Sequence, residues 1–301
     1  MNIGAVSDHR TREGGAMVYP VYSRRSRGLS VGINLFPDRK LCSFNCPYCE
    51  VFPFSTGIVF SPDVMKAALC SCLREAHEEG RPVRDICFSG NGEPTMSPDF
   101  PEALKTAKDI RDDLAPGAKL VLITNGTGLL DDSIFSLLAA SAENRDVPPE
   151  KPPPAGRRQT PPETGLDIWL KLDAGTEDWY RKMDRPGIAF ERLAGRIKAF
   201  AAAGAPFTIQ TMVCRIHGAL PPPEEEAAWL ELVTALAVPS LPGAPLTGRQ
   251  GLRAVQIYGK ARPAPEDPLA EAAPKEVLER RAEALNGMLE TAGSAARAEV
   301  Y

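Results

Sequence analysis

Six stretches that read as strands alternate with stretches that read as helices, and this alternation limits the fold more than any other feature of the chain. The strands are "GLSVGINLF" (28–36), "VRDICFSG" (83–90), "AKLVLITNG" (118–126), "LDIWLKLD" (166–173), "PFTIQTMV" (206–213) and "LRAVQIYG" (252–259). Each is short and apolar, and each runs into a polar or glycine-bearing segment. In "SPDVMKAALCSCLREAHEEG", Val64, Met65, Ala68, Leu69, Cys72 and Leu73 fall on one helical stripe between Ser61-Pro62 and Gly80. Similar patterns cover 97–114, 130–143, 191–204 and 223–236. A last amphipathic helix at 274–293 carries Val277, Leu278, Leu285, Met288 and Leu289 on one side. Strands separated by helices pair in parallel. Six such units predict an α/β fold, a partial (βα)6 barrel with an N-terminal arm and a C-terminal helix, two units short of the closed eight-fold barrel.

The 301 residues show no domain boundary, so a single domain is expected, with its core at about 18–263. Residues 144–165 are too proline-rich for an element and read as a surface insertion, and 264–301 read as a helical extension. No apolar run approaches a membrane span, and "MNIGAVSDHRTREGG" lacks the apolar core of a signal peptide, so a cytoplasmic protein without a membrane partner is expected. A net charge of −4 gives no broad basic face, which argues against nucleic acid as the favoured partner without removing a local patch. Seven cysteines in a reducing compartment point to metal or redox chemistry rather than disulfides.

In parallel βα folds the chemistry gathers where the strands end. There the first strand meets "LCSFNCPYCEVF", with Cys42, Cys46 and Cys49 in one loop. Thiolates hold zinc or iron-sulfur clusters, and both commonly take four ligands. No second Cys-x-x-Cys hook exists to complete a structural zinc site. A cubane cluster on three cysteines leaves one iron open to a non-protein ligand. Further along, Lys171 and Asp173 share a strand face and point two ionisable groups inward, as an ion pair or toward a ligand. Gln210, Gln256 and Tyr258 are polar positions on apolar strands, facing a site or satisfied within the core. Arg24, Arg25 and Arg262 flank the first and last strands and could meet across the barrel mouth to bind an anion.

Cys-x-x-x-Cys-x-x-Cys with Tyr48 before the third cysteine resembles the radical S-adenosylmethionine (radical SAM) enzymes. "GNGEPT" (90–95) is similar to that family's Gly-Gly-Glu-Pro stretch, with Asn91 in place of a glycine, and "TNG" (124–126) to its ribose-contacting strand end. More narrowly, "YPVYSRRSRGLSVGINLFP", "KLDAGTEDWYRKMDRP" and "VQIYGKARP" resemble the branch related to the wybutosine-synthesis enzyme of transfer RNA. That enzyme's additional N-terminal cysteines have no counterpart before Cys42.

The resemblance implies a barrel of the radical SAM type and a [4Fe-4S] cluster on Cys42, Cys46 and Cys49, with S-adenosylmethionine on the open iron. It implies reductive cleavage to a 5′-deoxyadenosyl radical that takes a hydrogen atom from substrate, with a flavodoxin or ferredoxin as reductant. Tyr48, Asn91, Gly92, Glu93, Thr124, Asn125, Asp173, Gln210 and Gln256 would then surround the cosubstrate. The glycines would let backbone carbonyls reach its ammonium, and Glu93 would pair with it. Lys171, Asp173 and Tyr258 become the catalytic candidates, and Arg24, Arg25 and Arg262 the substrate contacts. A small molecule or peptide is the expected substrate. The alternatives are wybutosine-like RNA modification and a non-catalytic iron-sulfur or zinc protein.

Overall fold

The computed structural model describes residues 16–51, 53–142, 165–238, 251–262, 264 and 270–301. The proline-rich insertion expected at 144–165 lies outside these residues, apart from Gly165. In chain order the elements are β1 (Val18–Ser23), β2 (Gly28–Ile33), α1 (Pro62–Glu78), β3 (Val83–Phe88), α2 (Phe100–Leu114), β4 (Lys119–Thr124) and α3 (Asp132–Ala142). There follow β5 (Leu166–Lys171), α4 (Glu177–Met183), α5 (Phe190–Ala202), β6 (Phe207–Ile216), α6 (Pro223–Ala237) and β7 (Leu252–Gly259). The chain ends with β8 (Ala270–Ala272), α7 (Lys275–Thr291) and β9 (Arg297–Val300).

Strands β2 to β7 pair in parallel and in sequence order, with at least one helix between each pair, as the alternation requires. The sheet does not close, and its path runs β1-β2-β3-β4-β5-β6-β7-β9. The helices cover its outer face through fully buried Met65, Leu69, Phe100, Phe200 and Trp229. Among the described residues no helix is long and apolar enough to cross a membrane.

Three strands depart from the expected six, the shortest being β8, which pairs antiparallel with the end of β6. The N-terminal arm is an antiparallel edge strand, with Val18 opposite Ile33 and Ser23 opposite Gly28. Pro20 hides it in the sequence, because a proline cannot donate to a ladder and is tolerated only at an edge. The C-terminal extension is more than a helix: α7 leads into β9, which pairs parallel with β7 and adds a seventh parallel strand. Its sequence, "RAEV", is too short to show a period.

Candidate active site

The segment after β3 fixes the cysteine loop. The Leu41 N–H donates to the Asn91 carbonyl at 3.0 Å, and the Glu93 N–H donates to the Leu41 carbonyl at 2.9 Å. A Cβ on Gly92 would stand 1.8 Å from the Leu41 carbonyl oxygen, so only glycine fits there. Asn34 Oδ1 ties the same turn to β2 by accepting from the Phe36 and Asn91 N–H groups at 3.1 and 3.2 Å. Gly90 and Gly92 were expected to open the backbone toward a ligand. What the structure shows beside Gly92 is the backbone immediately before Cys42.

Glu93 is 2% exposed. Its Oε1 accepts from the hydroxyls of Thr95 and Thr124 at 2.6 and 2.7 Å, and its Oε2 from the Asn125 N–H at 2.6 Å. Burial pushes its pKa above the usual carboxylate range, with those donors pulling the other way. Thr124 also accepts from the Gly126 N–H at 3.0 Å. Glu93 and Thr124, expected at the cosubstrate's ammonium and ribose, here lock the ends of β3 and β4 together. Asn125 reaches the cysteines: its Nδ2 donates to Ser43 Oγ at 2.9 Å and approaches Cys42 Sγ at 3.5 Å.

At the far wall, Lys171 donates to Asp173 and to Asp184. Burial alone would lower the pKa of the ammonium, but the two carboxylates more than offset it and hold Lys171 charged. The Tyr48 hydroxyl and the Met212 N–H donate to Asp173 as well. Asp184 also accepts from the Cys46 thiol at 3.7 Å, and its carbonyl accepts from the Asn45 N–H at 2.9 Å. Sequence reasoning missed Asp184. It lies thirteen residues beyond Lys171, just past α4, and the "KMDRP" stretch was its one visible signal.

One cavity of about 510 Å³ joins these groups. Cys42, Cys46 and Cys49 face it beside Tyr48, as do Asn91, Gly92, Glu93, Thr124 and Asn125. Lys171, Gln210, Tyr258, Arg24, Arg25 and Arg262 complete the expected set on its wall. Asp173 and Gln256 stand behind it, the latter accepting from Gln210 Nε2 at 2.7 Å as a satisfied buried pair. Arg262 Nη1 is held by Glu50 at 2.8 Å. Arg25 lies in the turn before β2 and Arg262 beyond the end of β7, and both line the one cavity. The inner wall adds Tyr19, Asp85, Cys87, Ser89 and Trp169, none of them expected. Burial pushes Tyr258 up to about 12, so its phenol stays protonated at neutral pH.

The donor set fits a cluster that takes one thiolate per iron. Three thiols from one loop face one cavity, and a positioned amide stands beside Cys42. Burial pushes Cys42 up to about 11 and Cys46 well above the usual thiol range, so metal binding must displace their protons. Among the described residues no group of three or more His, Cys, Asp or Glu converges as a site for a single ion.

No family model matches the chain. A curated relative, the UPF0026 protein of Helicobacter pylori strain J99, is 33% identical over 110 residues, covering 36% of this chain and 34% of its own. Among solved structures, SuiB of Streptococcus suis bound to S-adenosylmethionine superposes with a TM-score of 0.58 at 13% identity, over 87% of this chain and 48% of that one. A radical SAM methyltransferase from Sphaerobacter thermophilus gives 0.56 at 14% identity, over 93% and 68%. TYW1 with a lysine-pyruvate adduct bound gives 0.52 at 12% identity, over 86% and 73%. This chain thus spans about a third of the curated relative and about half of SuiB. Its fold is that of the radical SAM enzymes.

Proposed function

We propose that this chain is a radical SAM enzyme acting on a small molecule or the end of a peptide. The observation that carries this reading is the convergence of the three loop thiols, the turn around Glu93 and the Lys171 carboxylate network on one cavity. Cys42, Cys46 and Cys49 would hold a [4Fe-4S] cluster. When bound, the cluster would supply the electron, delivered to it by a flavodoxin or ferredoxin, that cleaves S-adenosylmethionine to a radical able to take a hydrogen atom.

The protein's own part is placement and exclusion of water. The paired backbones of Leu41, Asn91 and Glu93 fix the loop against β3, and Asn125 fixes its first cysteine. The methionine end of the cosubstrate would lie against the turn carrying Asn91 and Gly92, which Glu93 holds from behind. Lys171, kept charged by Asp173 and Asp184, presents a fixed cation beside Tyr48 and Cys46. Held between two carboxylates, Lys171 suits the role of an electrostatic anchor.

A cavity of about 510 Å³ lies in the size range of small-molecule sites, and the chain's net charge of −4 weighs against a folded RNA. The test is anaerobic incubation of reconstituted protein with dithionite and S-adenosylmethionine. Formation of 5′-deoxyadenosine is expected, and its absence from protein with a full cluster would overturn the reading.

A further inference from the structure

The inner half of the cavity contains a cation that is held in no ion pair among the described residues, Asp85 being the carboxylate that feels its charge from further off. Of the cations facing the cavity, Lys171 holds two carboxylates and Arg262 holds Glu50. Arg24 is exposed, where water serves its charge. Arg25 is half-buried, and among the described residues no carboxylate comes within ion-pair distance of it. Its guanidinium lies over the rings of Trp169 and Tyr258, 5.8 and 5.3 Å from their centres. Stacking of this kind orients a guanidinium and leaves its N–H edge free for hydrogen bonds.

The turn that carries Arg25 is itself held. The Arg27 N–H donates to the Arg24 carbonyl at 3.3 Å, and the Ser26 N–H donates to Ser23 Oγ at 3.2 Å. Arg25 is therefore a placed group rather than a loose surface arginine. Around it the wall is mixed: Ile123 and Trp169 are apolar, and the Tyr19 and Ser89 hydroxyls bond each other at 2.9 Å. Asp85, 2% exposed and accepting from the Ser30 hydroxyl, brings a negative group to the same wall.

We propose that this inner region is the substrate subsite and that it takes a small organic carboxylate, whose charged group forks onto the Arg25 guanidinium while its apolar part lies along Ile123 and Trp169. A carboxylate fits better than a phosphate because the region offers one unpaired cation and already holds Asp85, so a second negative charge would go uncompensated. The inference rests on the radical SAM reading for its placement beside the cosubstrate. It does not need the radical step to be tested.

The experiment uses the full chain, reconstituted anaerobically, saturated with S-adenosylmethionine and left unreduced. Saturation-transfer NMR follows benzoate, with benzamide as the neutral shape control and inorganic phosphate as competitor. Wild type is expected to bind benzoate and to bind benzamide at least about tenfold more weakly, the cost of losing a charge-assisted fork. Arg25→Lys keeps the charge but loses the fork and should weaken benzoate severalfold; Arg25→Met should abolish it, with near-ultraviolet circular dichroism reporting the fold of both variants. Benzoate bound equally by wild type and a folded Arg25→Lys or Arg25→Met, or by none of them, overturns the subsite. Phosphate displacing benzoate at lower concentration than benzoate's own Kd overturns the carboxylate assignment. The separate formation of 5′-deoxyadenosine on reduction shows whether the radical SAM reading stands when the subsite fails.

Discussion

The Asn125 amide donates to Ser43 Oγ at 2.9 Å and so pins the end of β4 to the cysteine loop. The other face of the same amide accepts from the Thr127 N–H at 2.9 Å, which makes the side chain a two-sided clamp. Asn125→Ala should cost about 1–3 kcal/mol, because it leaves the half-buried Thr127 N–H and hydroxyl without their acceptor. It should also lower the iron retained after desalting, while the far-ultraviolet spectrum stays native. Iron retention equal to wild type would remove the clamp from the account.

Lys171 sits between Asp173 and Asp184, and among the described residues neither carboxylate has a second cation in contact. Lys171→Met leaves two buried carboxylates with no cation between them, and even with one of them protonated unfolding in urea should show a loss of about 3–5 kcal/mol. Adding Asp184→Asn should restore part of it, since the variant then buries one fewer carboxylate. Additive losses in the double variant would show that the two residues are not coupled.

Gly92 faces the Leu41 carbonyl with no room for a Cβ. Gly92→Ala should displace the cysteine loop and destabilise the protein by about 1–3 kcal/mol, the usual range for overpacking. Gly187, around which an added Cβ meets nothing within 4 Å, supplies the control: Gly187→Ala should be close to neutral. Similar losses for both glycines would contradict the close approach.

Asp85 gives a pH signature. Burial raises its pKa, and the Ser26 and Ser30 hydroxyls and the charges of Lys119 and Arg25 only partly oppose this. A raised carboxylate pKa means that the folded state holds the proton longer than the unfolded one. Stability from this group is therefore complete below the ordinary carboxylate pKa of about 4 and is lost as pH rises through the raised value. Asp85→Asn removes that loss, so its Tm relative to wild type should rise from pH 4 to pH 7. A constant difference across that range would contradict the assignment.

The six parallel units were legible because a buried strand and an amphipathic helix each leave a clear period in the sequence. β1 and β9 were not, the first masked by Pro20 and the second only four residues long. The cysteine loop was legible from spacing, and the turn around Glu93 from its resemblance to the family's Gly-Gly-Glu-Pro stretch. Their mutual positions were not, because the Leu41–Asn91 pairing joins residues fifty positions apart. Asp184 and Asp85 were missed for a related reason: an isolated acidic residue looks solvated until the fold shows what surrounds it. Gln210 and Gln256 were expected either at the site or satisfied in the core, and the structure shows one of each, joined to the other.

The central claim, that Cys42, Cys46 and Cys49 hold an iron-sulfur cluster, is tested most directly by iron, sulfide and zinc analysis of anaerobically reconstituted protein beside its Cys42→Ala/Cys46→Ala/Cys49→Ala variant. Wild type should contain iron and sulfide in equal amounts with a brown chromophore, and the folded variant should contain neither. Zinc without sulfide in wild type, or full iron and sulfide in the variant, would contradict the claim.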